Sequence, residues 1–289
     1  MTKMRGVVMK NEHSLKSIVY LMGTDVYYER YQSEKTKRGT LVFIHGFVSS
    51  SYSFRYLIPY LQKYYDIICV DLPGFGRSGK QRTFCYSFQG YADLVIALLE
   101  LLKVENITII GHSMGGQVAL YIAKTRPNLI SSIILLSSSG YLKRVKKRFI
   151  YASYIPFAKH AMKWWIGKRN VQKMFTQVVH NEKTITKEAI EEYSLPLTDP
   201  SFCDGLIGLM RQREGDLDKK DLQHIMQPCL ILWGDEDTII PSRIGKRLSE
   251  DLPCAEFYCF RKTGHLLSEE KPDEVADKML SFLSKNQKA

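Results

Sequence analysis

No apolar run in this chain approaches the roughly 18 residues needed to cross a membrane as a helix. Met1 to Gly23 also lacks the apolar stretch of roughly 7–15 residues, with a small-residue cleavage site, that marks a secretory signal. A cytoplasmic location is therefore expected. Cysteine is sparse and unpatterned: none of the six forms a Cys-x-x-Cys pair, and no His-rich metal spacing accompanies them. Cys69, Cys229 and Cys259 lie in or beside apolar runs and read as small buried hydrophobes. Internal repeats and low-complexity tracts are missing too. Acid is absent from one long segment: Tyr141 to Phe175 carries ten Lys and Arg and no Asp or Glu. The formal net charge is +11, so almost the whole excess sits there.

What is present alternates. Ser17–Leu21 and Val26–Arg30 read as strands that could form a hairpin around Met22-Gly23-Thr24-Asp25. Further strands are expected at Thr40–Ile44, Asp66–Val70, Asn106–Ile110 and Ser132–Leu136. Helical patterns lie between them, as in Tyr91–Lys103 with Leu94, Ala97, Leu98 and Leu101 on one face. Continuous apolar strands such as Ile67-Ile68-Cys69-Val70 imply a mostly parallel sheet covered by helices on both faces. The rhythm breaks after Leu136 and resumes only at Cys229–Trp233, followed by a helix near Arg243–Glu250, a strand at Glu256–Phe260 and a final helix near Asp273–Leu283. The intervening stretch is rich in helix formers, Lys and aromatics, and reads as a helical insertion. The expected division is a core of residues 1–139 and 216–289, with a cap over 140–215.

Gly111-His112-Ser113-Met114-Gly115-Gly116 follows the strand Ile107-Thr108-Ile109-Ile110 and leads into a helix beginning near Gln117. A serine hydroxyl is a weak nucleophile and must be held out of the chain beside a base. A Gly-x-Ser-x-Gly at a sharp strand-to-helix turn does the first of these tasks. Catalytic groups of a parallel sheet gather beyond the C-terminal ends of its strands. Asp235, Glu236 and Asp237 follow the strand at 229–233, and His265 follows the strand at 256–260, giving the chain order Ser, acid, His.

Gly74-Phe75-Gly76-Arg77-Ser78-Gly79 matches a dinucleotide fingerprint by letter, but no helix opens at its last glycine and no acidic residue ends a next strand. The same stretch nearly matches a phosphate-binding loop, with Gln81 where a Ser or Thr is required. Nucleotide binding is not expected.

The chain resembles the α/β-hydrolase fold family with an inserted helical cap. The segments that carry the likeness are His45-Gly46-Phe47, Asp71 to Ser78, Gly111 to Gly116, Gly234-x-x-Asp237-x-x-x-Pro241 and Gly264-His265-x-x-x-x-Glu270-x-Pro272. The resemblance implies that Ser113 attacks a carbonyl, that His265 is the general base, and that Asp237, favoured over Asp235 and Glu236 by spacing, orients it. It implies an oxyanion hole made by the backbone N–H groups of Phe47 and Met114. No cofactor or metal is implied. His45 and His112 read as loop organisers, and His13, His160, His180 and His224 as surface or cap residues.

A serine at the elbow favours acyl chemistry, hence a carboxylesterase or lipase-like serine hydrolase acting on a small-molecule ester or lipid. Carbon–carbon bond hydrolysis and a small-ligand receptor of the same fold stay open alternatives. Tyr151, Tyr154, Phe157, Trp164, Trp165 and Phe175 among the cations suggest an apolar pocket and contact with anionic membrane. A basic face that is simply solvated is the competing reading. Nucleic-acid binding is not expected, since no recognised module is present. Oligomeric state is left open.

Overall fold

The computed structural model describes residues 3–11, 13–35, 37–168 and 171–286. Nine strands form one sheet: β1 (Lys3–Asn11), β2 (Ser14–Leu21), β3 (Thr24–Tyr31), β4 (Thr40–Ile44), β5 (Asp66–Val70), β6 (Ile107–His112), β7 (Ile130–Leu136), β8 (Cys229–Gly234) and β9 (Ala255–Phe260). Their spatial order is β1-β2-β3-β5-β4-β6-β7-β8-β9. The β1–β2, β2–β3 and β3–β5 pairs are antiparallel and the remaining five are parallel. This is the α/β-hydrolase fold, with a mostly parallel sheet.

The β2–β3 hairpin is tighter than its sequence suggests. Leu21 pairs with Thr24, so only Met22 and Gly23 turn, both at positive φ. That backbone suits the right-handed twist of the flanking strands. Strand β1 was not foreseen. Two register shifts, at Met4/Gly6 and Val7/Met9, interrupt its pairing, so its sequence lacks the period of a regular strand.

Alternation along the strands makes two cores. Val42, Ile44, Ile68, Val70, Ile109, Ile133, Ile231 and Trp233 face the helices Phe88–Leu101 and Met114–Thr125. Leu41, Phe43, Ile67, Cys69, Ile110, Ile134, Leu230 and Leu232 face the opposite way, against Val275, Ala276, Met279, Phe282 and Leu283 of the helix Pro272–Asn286. Each such side chain, fully buried, contributes roughly 1.5–3 kcal/mol. Burial on both faces is why β4 to β8 are continuous apolar runs.

Between β7 and β8 the described residues form no strand. They form the helices Lys147–Ala152, Ala158–Gly167, Val171–Thr176, Lys187–Thr198, Phe202–Gln212 and Lys219–Leu222, and a short 3₁₀ turn at Glu182–Thr184. Residue Arg169 and the side chains of Trp165 and Phe175 lie outside the described parts of the structure. No helix is long and apolar enough to cross a membrane among the described residues.

Candidate active site

Ile44 pairs with Gly111, Gly111 with Leu135, and Gly234 with Phe260, so the segments leaving β4, β6, β8 and β9 emerge along one edge of the sheet. Ser113 stands at this edge with φ 51° and ψ −119°, outside the wells open to an L-residue. Such a conformation costs roughly 1–3 kcal/mol and persists only where the surroundings enforce it. Three hydrogen bonds do so: Ser113 N–H donates to the Leu136 carbonyl at 3.0 Å, while Gly116 N–H at 3.0 Å and Ser139 N–H at 2.9 Å donate to the Ser113 carbonyl. The flanking glycines are required by contact. A β-carbon on Gly111 would fall 2.3 Å from the Gly115 carbonyl oxygen, and one on Gly115 would fall 2.2 Å from that of Ile44.

His265 Nδ1 lies 2.8 Å from Asp237 Oδ2, with the carboxylate fully buried and the imidazole nearly so. A carboxylate only accepts, so Nδ1 carries the hydrogen and Nε2 is left with a lone pair. Asp237 Oδ1 accepts from the N–H groups of Ile239 at 2.9 Å and Ile240 at 2.8 Å, which fix the carboxylate. The rival acids point elsewhere: Asp235 Oδ1 accepts from Thr263 N–H at 3.4 Å, and Glu236 meets His180 Nδ1 at 2.6 Å.

His112 lies under His265, ring centroids 4.9 Å apart, and its Nε2–H donates to the His265 carbonyl at 3.0 Å. Burial, reinforced by the nearby His265, pushes His112 down to about 3, so it stays neutral and supports the loop. His45 does similar work at β4. Its Nε2 accepts from Leu72 N–H at 2.9 Å, so its Nδ1–H donates to the Gly46 carbonyl at 2.7 Å. The N–H of Phe47 belongs to that same planar peptide and points the opposite way, so His45 sets its direction. Met114 is the first residue of its helix, where an N–H has no partner within the helix. Burial also lowers the His45 value.

Ser113, His265 and Phe47 line one cavity of about 230 Å³ with Val48, Met174, Val178, Tyr193, Ile239 and Leu266. Asp237 lies behind His265. The cap aromatics Tyr151, Tyr154, Phe157 and Trp164 are exposed and do not line this cavity.

Tyr193, Glu269 and Arg55 had no signal in the sequence, and Glu270 stood in a motif without an assigned role. Tyr193 O–H donates to the buried Glu269, whose other oxygen accepts from Arg55 at 2.8 Å. Glu270 joins two segments, accepting from Gly264 N–H at 2.8 Å and from His180 N–H at 2.8 Å. Burial raises the Glu270 value above the usual carboxylate range. His265 N–H donates to the Val178 carbonyl at 2.8 Å. Residues 178–180 therefore brace the loop that bears His265.

A family model described as the alpha/beta hydrolase fold matches residues 39–272. An uncharacterized hydrolase of Bacillus subtilis, YugF, is 44% identical over 261 residues, covering 90% of this chain and 95% of its own. A 2-hydroxy-6-oxononadienedioate/2-hydroxy-6-oxononatrienedioate hydrolase of Paraburkholderia phymatum is 25% identical over 268 residues, covering 88% of this chain and 90% of its own. Among solved structures, an esterase from Exiguobacterium antarcticum superposes with a TM-score of 0.74 at 20% identity, over 91% of this chain and 96% of the other.

Proposed function

The chain belongs to the α/β-hydrolase family, and from that premise we propose that it is a serine hydrolase that cleaves carboxylic esters through an acyl-enzyme. The observation that carries this reading is the 2.8 Å His265–Asp237 pair on the same cavity as a serine held at φ 51°. In this reading Ser113 Oγ attacks the ester carbonyl and its proton passes to His265 Nε2. Asp237 keeps the imidazole in the required tautomer and stabilises the imidazolium. The N–H groups of Phe47 and Met114 take the charge that develops on the carbonyl oxygen. His265 then protonates the departing alkoxide, and a water activated by the same Nε2 releases the acid. Residues 140–215 act as a cap whose Met174, Val178 and Tyr193 roof the acyl site.

Carbon–carbon bond hydrolysis is the second reading, suggested by the dienedioate hydrolase relative. A dienedioate carries two carboxylates. Among the described residues no Lys or Arg lines the cavity, whose walls are mostly aliphatic and aromatic. Burying a carboxylate there without a partner is costly, which favours a neutral acyl group.

The test is hydrolysis of p-nitrophenyl esters from acetate to palmitate by the natural protein and by Ser113→Ala. We expect turnover that falls by at least about 10⁴-fold in the variant, and the preferred chain length measures the acyl site. Absence of Ser113-dependent turnover on every ester would sink the esterase reading and shift weight to carbon–carbon hydrolysis or ligand sensing.

A further inference from the structure

The inserted region divides by charge. Tyr141 to Phe175 carries ten cations and no carboxylate, whereas Thr176 to Asp216 carries eight carboxylates and four cations. Carboxylates of the second part turn back onto the core: Glu192 meets Arg77 at 2.8 Å, Asp199 meets Lys80 at 3.2 Å and Asp204 meets Arg82 at 2.8 Å. Asp204 also forms an ion pair with the first part, at Lys159 Nζ, 2.6 Å. Lys146, Lys147 and Arg148 are exposed and form no ion pair among the described residues. These three cations are therefore not neutralised by the acidic neighbour among the described residues.

The same part exposes apolar surface. Eight of the seventeen exposed large apolar side chains among the described residues fall between Leu142 and Met174. Phe157 is 78% exposed, Ile155 63% and Trp164 63%. Tyr154, Ile155 and Phe157 share the wall of one cavity of about 390 Å³ with Lys159, Arg211 and the Lys159-paired Asp204, so apolar and charged groups are interleaved. Arg148 lies over the Phe149 ring at 4.8 Å and Lys168 over the Trp164 ring at 3.7 Å. A solvated basic face has no need of exposed Ile and Phe, and a nucleic acid gives an exposed aliphatic side chain nothing to enter. An anionic bilayer meets both demands, with headgroup charge above and acyl chains below. Met174 is exposed and also lines the Ser113 cavity, which places the mouth of that cavity beside the patch.

We infer that the exposed, described residues between Leu142 and Lys168 form a peripheral docking surface for anionic phospholipid bilayers. Lys146, Lys147 and Arg148 meet the headgroups, and Phe157 and Trp164 enter the acyl boundary. Docking uses no turnover and is independent of the ester reading.

The experiment is sedimentation of the full-length Ser113→Ala protein with vesicles of phosphatidylcholine alone and of phosphatidylcholine mixed with phosphatidylglycerol. Binding to the mixed vesicles only, weakened by salt, is expected. In the same background, K146E/K147E/R148E should weaken it by at least about tenfold, and F157S/W164S by a similar factor. Each set, placed in the protein that retains Ser113, should keep the melting temperature and the turnover of a soluble ester, which separates lost docking from lost folding. Equal binding to both vesicle types, no vesicle binding, capture by RNA or an acidic polypeptide without vesicle binding, or full retention of binding by both variant sets would each overturn the inference.

Discussion

The two parts of the inserted region are fastened differently. Residues 177–193 are bonded to the loops that carry Asp237 and His265: Thr238 O–H donates to the Gln177 carbonyl at 3.1 Å, His265 N–H to Val178, and Tyr193 O–H to Glu269. The basic part is tied mainly to its acidic neighbour, through Lys159–Asp204, Arg144 to the Arg211 carbonyl at 3.2 Å, and Arg213 to the Lys143 carbonyl at 3.1 Å. The part that brings Val178 and Tyr193 to the Ser113 cavity is thus held by the core, and the outward part, which adds Met174, is held at one remove. A bond that braces a reacting group has to be specific in geometry, whereas a surface for a fluid partner needs only composition and exposure. The difference is open to attack from both sides.

The largest effect should come from the brace. Glu269→Gln leaves Arg55, only 18% exposed, without its countercharge. Breaking a buried pair from one side costs roughly 3–5 kcal/mol, read as a lower urea midpoint. Lys159→Met cuts an ion pair between the two parts where both ends are more accessible, and should cost under about 1 kcal/mol. Equal losses from the two would erase the distinction.

The next effect is a pH dependence at the neck of the insertion. Leu142 N–H donates to Asp216 Oδ2 at 3.0 Å and Asp216 N–H to the Leu142 carbonyl at 2.8 Å, joining the two ends. Burial raises the Asp216 carboxyl from 3.8 to about 6, outweighing the opposing pull of the Leu142 N–H and Arg213. The folded chain therefore keeps this proton longer than the unfolded chain. Stability from this group is fully present below about pH 4 and is lost as pH rises through about 6, a swing of roughly 2–3 kcal/mol. Asp216→Asn should flatten the fall in unfolding free energy over that window by this amount relative to the natural chain. An unchanged slope would show that the neck carboxylate titrates as it does in the unfolded chain.

Much of this molecule could be read from its residues. Strands β4 to β8 are buried on both faces and so announce themselves as apolar runs, and the elbow is visible because the contacts of Gly111 and Gly115 admit no side chain. Asp237 stood out from Asp235 and Glu236 by family spacing, and it is the one that meets His265. What stayed hidden depends on contacts remote in sequence. Tyr193 and Glu269 are 76 residues apart, and Arg55 and Glu269 are 214 apart, so no local pattern links them. The place of the cap aromatics was not legible either. Hydrophobicity alone does not say which cavity a ring lines, and Tyr154 and Phe157 line one away from Ser113 while Tyr151 and Trp164 are exposed.

A smaller effect tests how the brace reaches the chemistry. Glu270 accepts from Gly264 N–H on one oxygen and from His180 N–H on the other. A glutamine amide has one accepting oxygen and an NH₂ that only donates, so Glu270→Gln can serve only one of the two segments. His265 follows Gly264 directly, and in the proposed mechanism a shift of its ring affects the proton transfer more than the binding of the acyl group. We expect kcat to fall by roughly tenfold, about 1.4 kcal/mol of barrier, with KM within about twofold. A rise in KM at constant kcat would make Glu270 a support of the acyl wall instead of a positioning residue for His265.

The smallest effect belongs to the outward part. K146E/K147E/R148E on a neutral, soluble p-nitrophenyl ester should leave kcat/KM within about twofold of the natural chain. The three side chains are exposed, line neither described cavity wall near Ser113, and have no bond to the segments that hold Asp237 or His265. A neutral substrate also gains little from a field of either sign, so the loss of positive charge does not slow encounter. The same variant should lose its hold on anionic vesicles, so one protein carries opposite expectations in two assays. A fall of tenfold or more on the soluble ester would mean that the basic part is coupled to the reacting groups, and the two parts of the insertion would then have to be treated as one device.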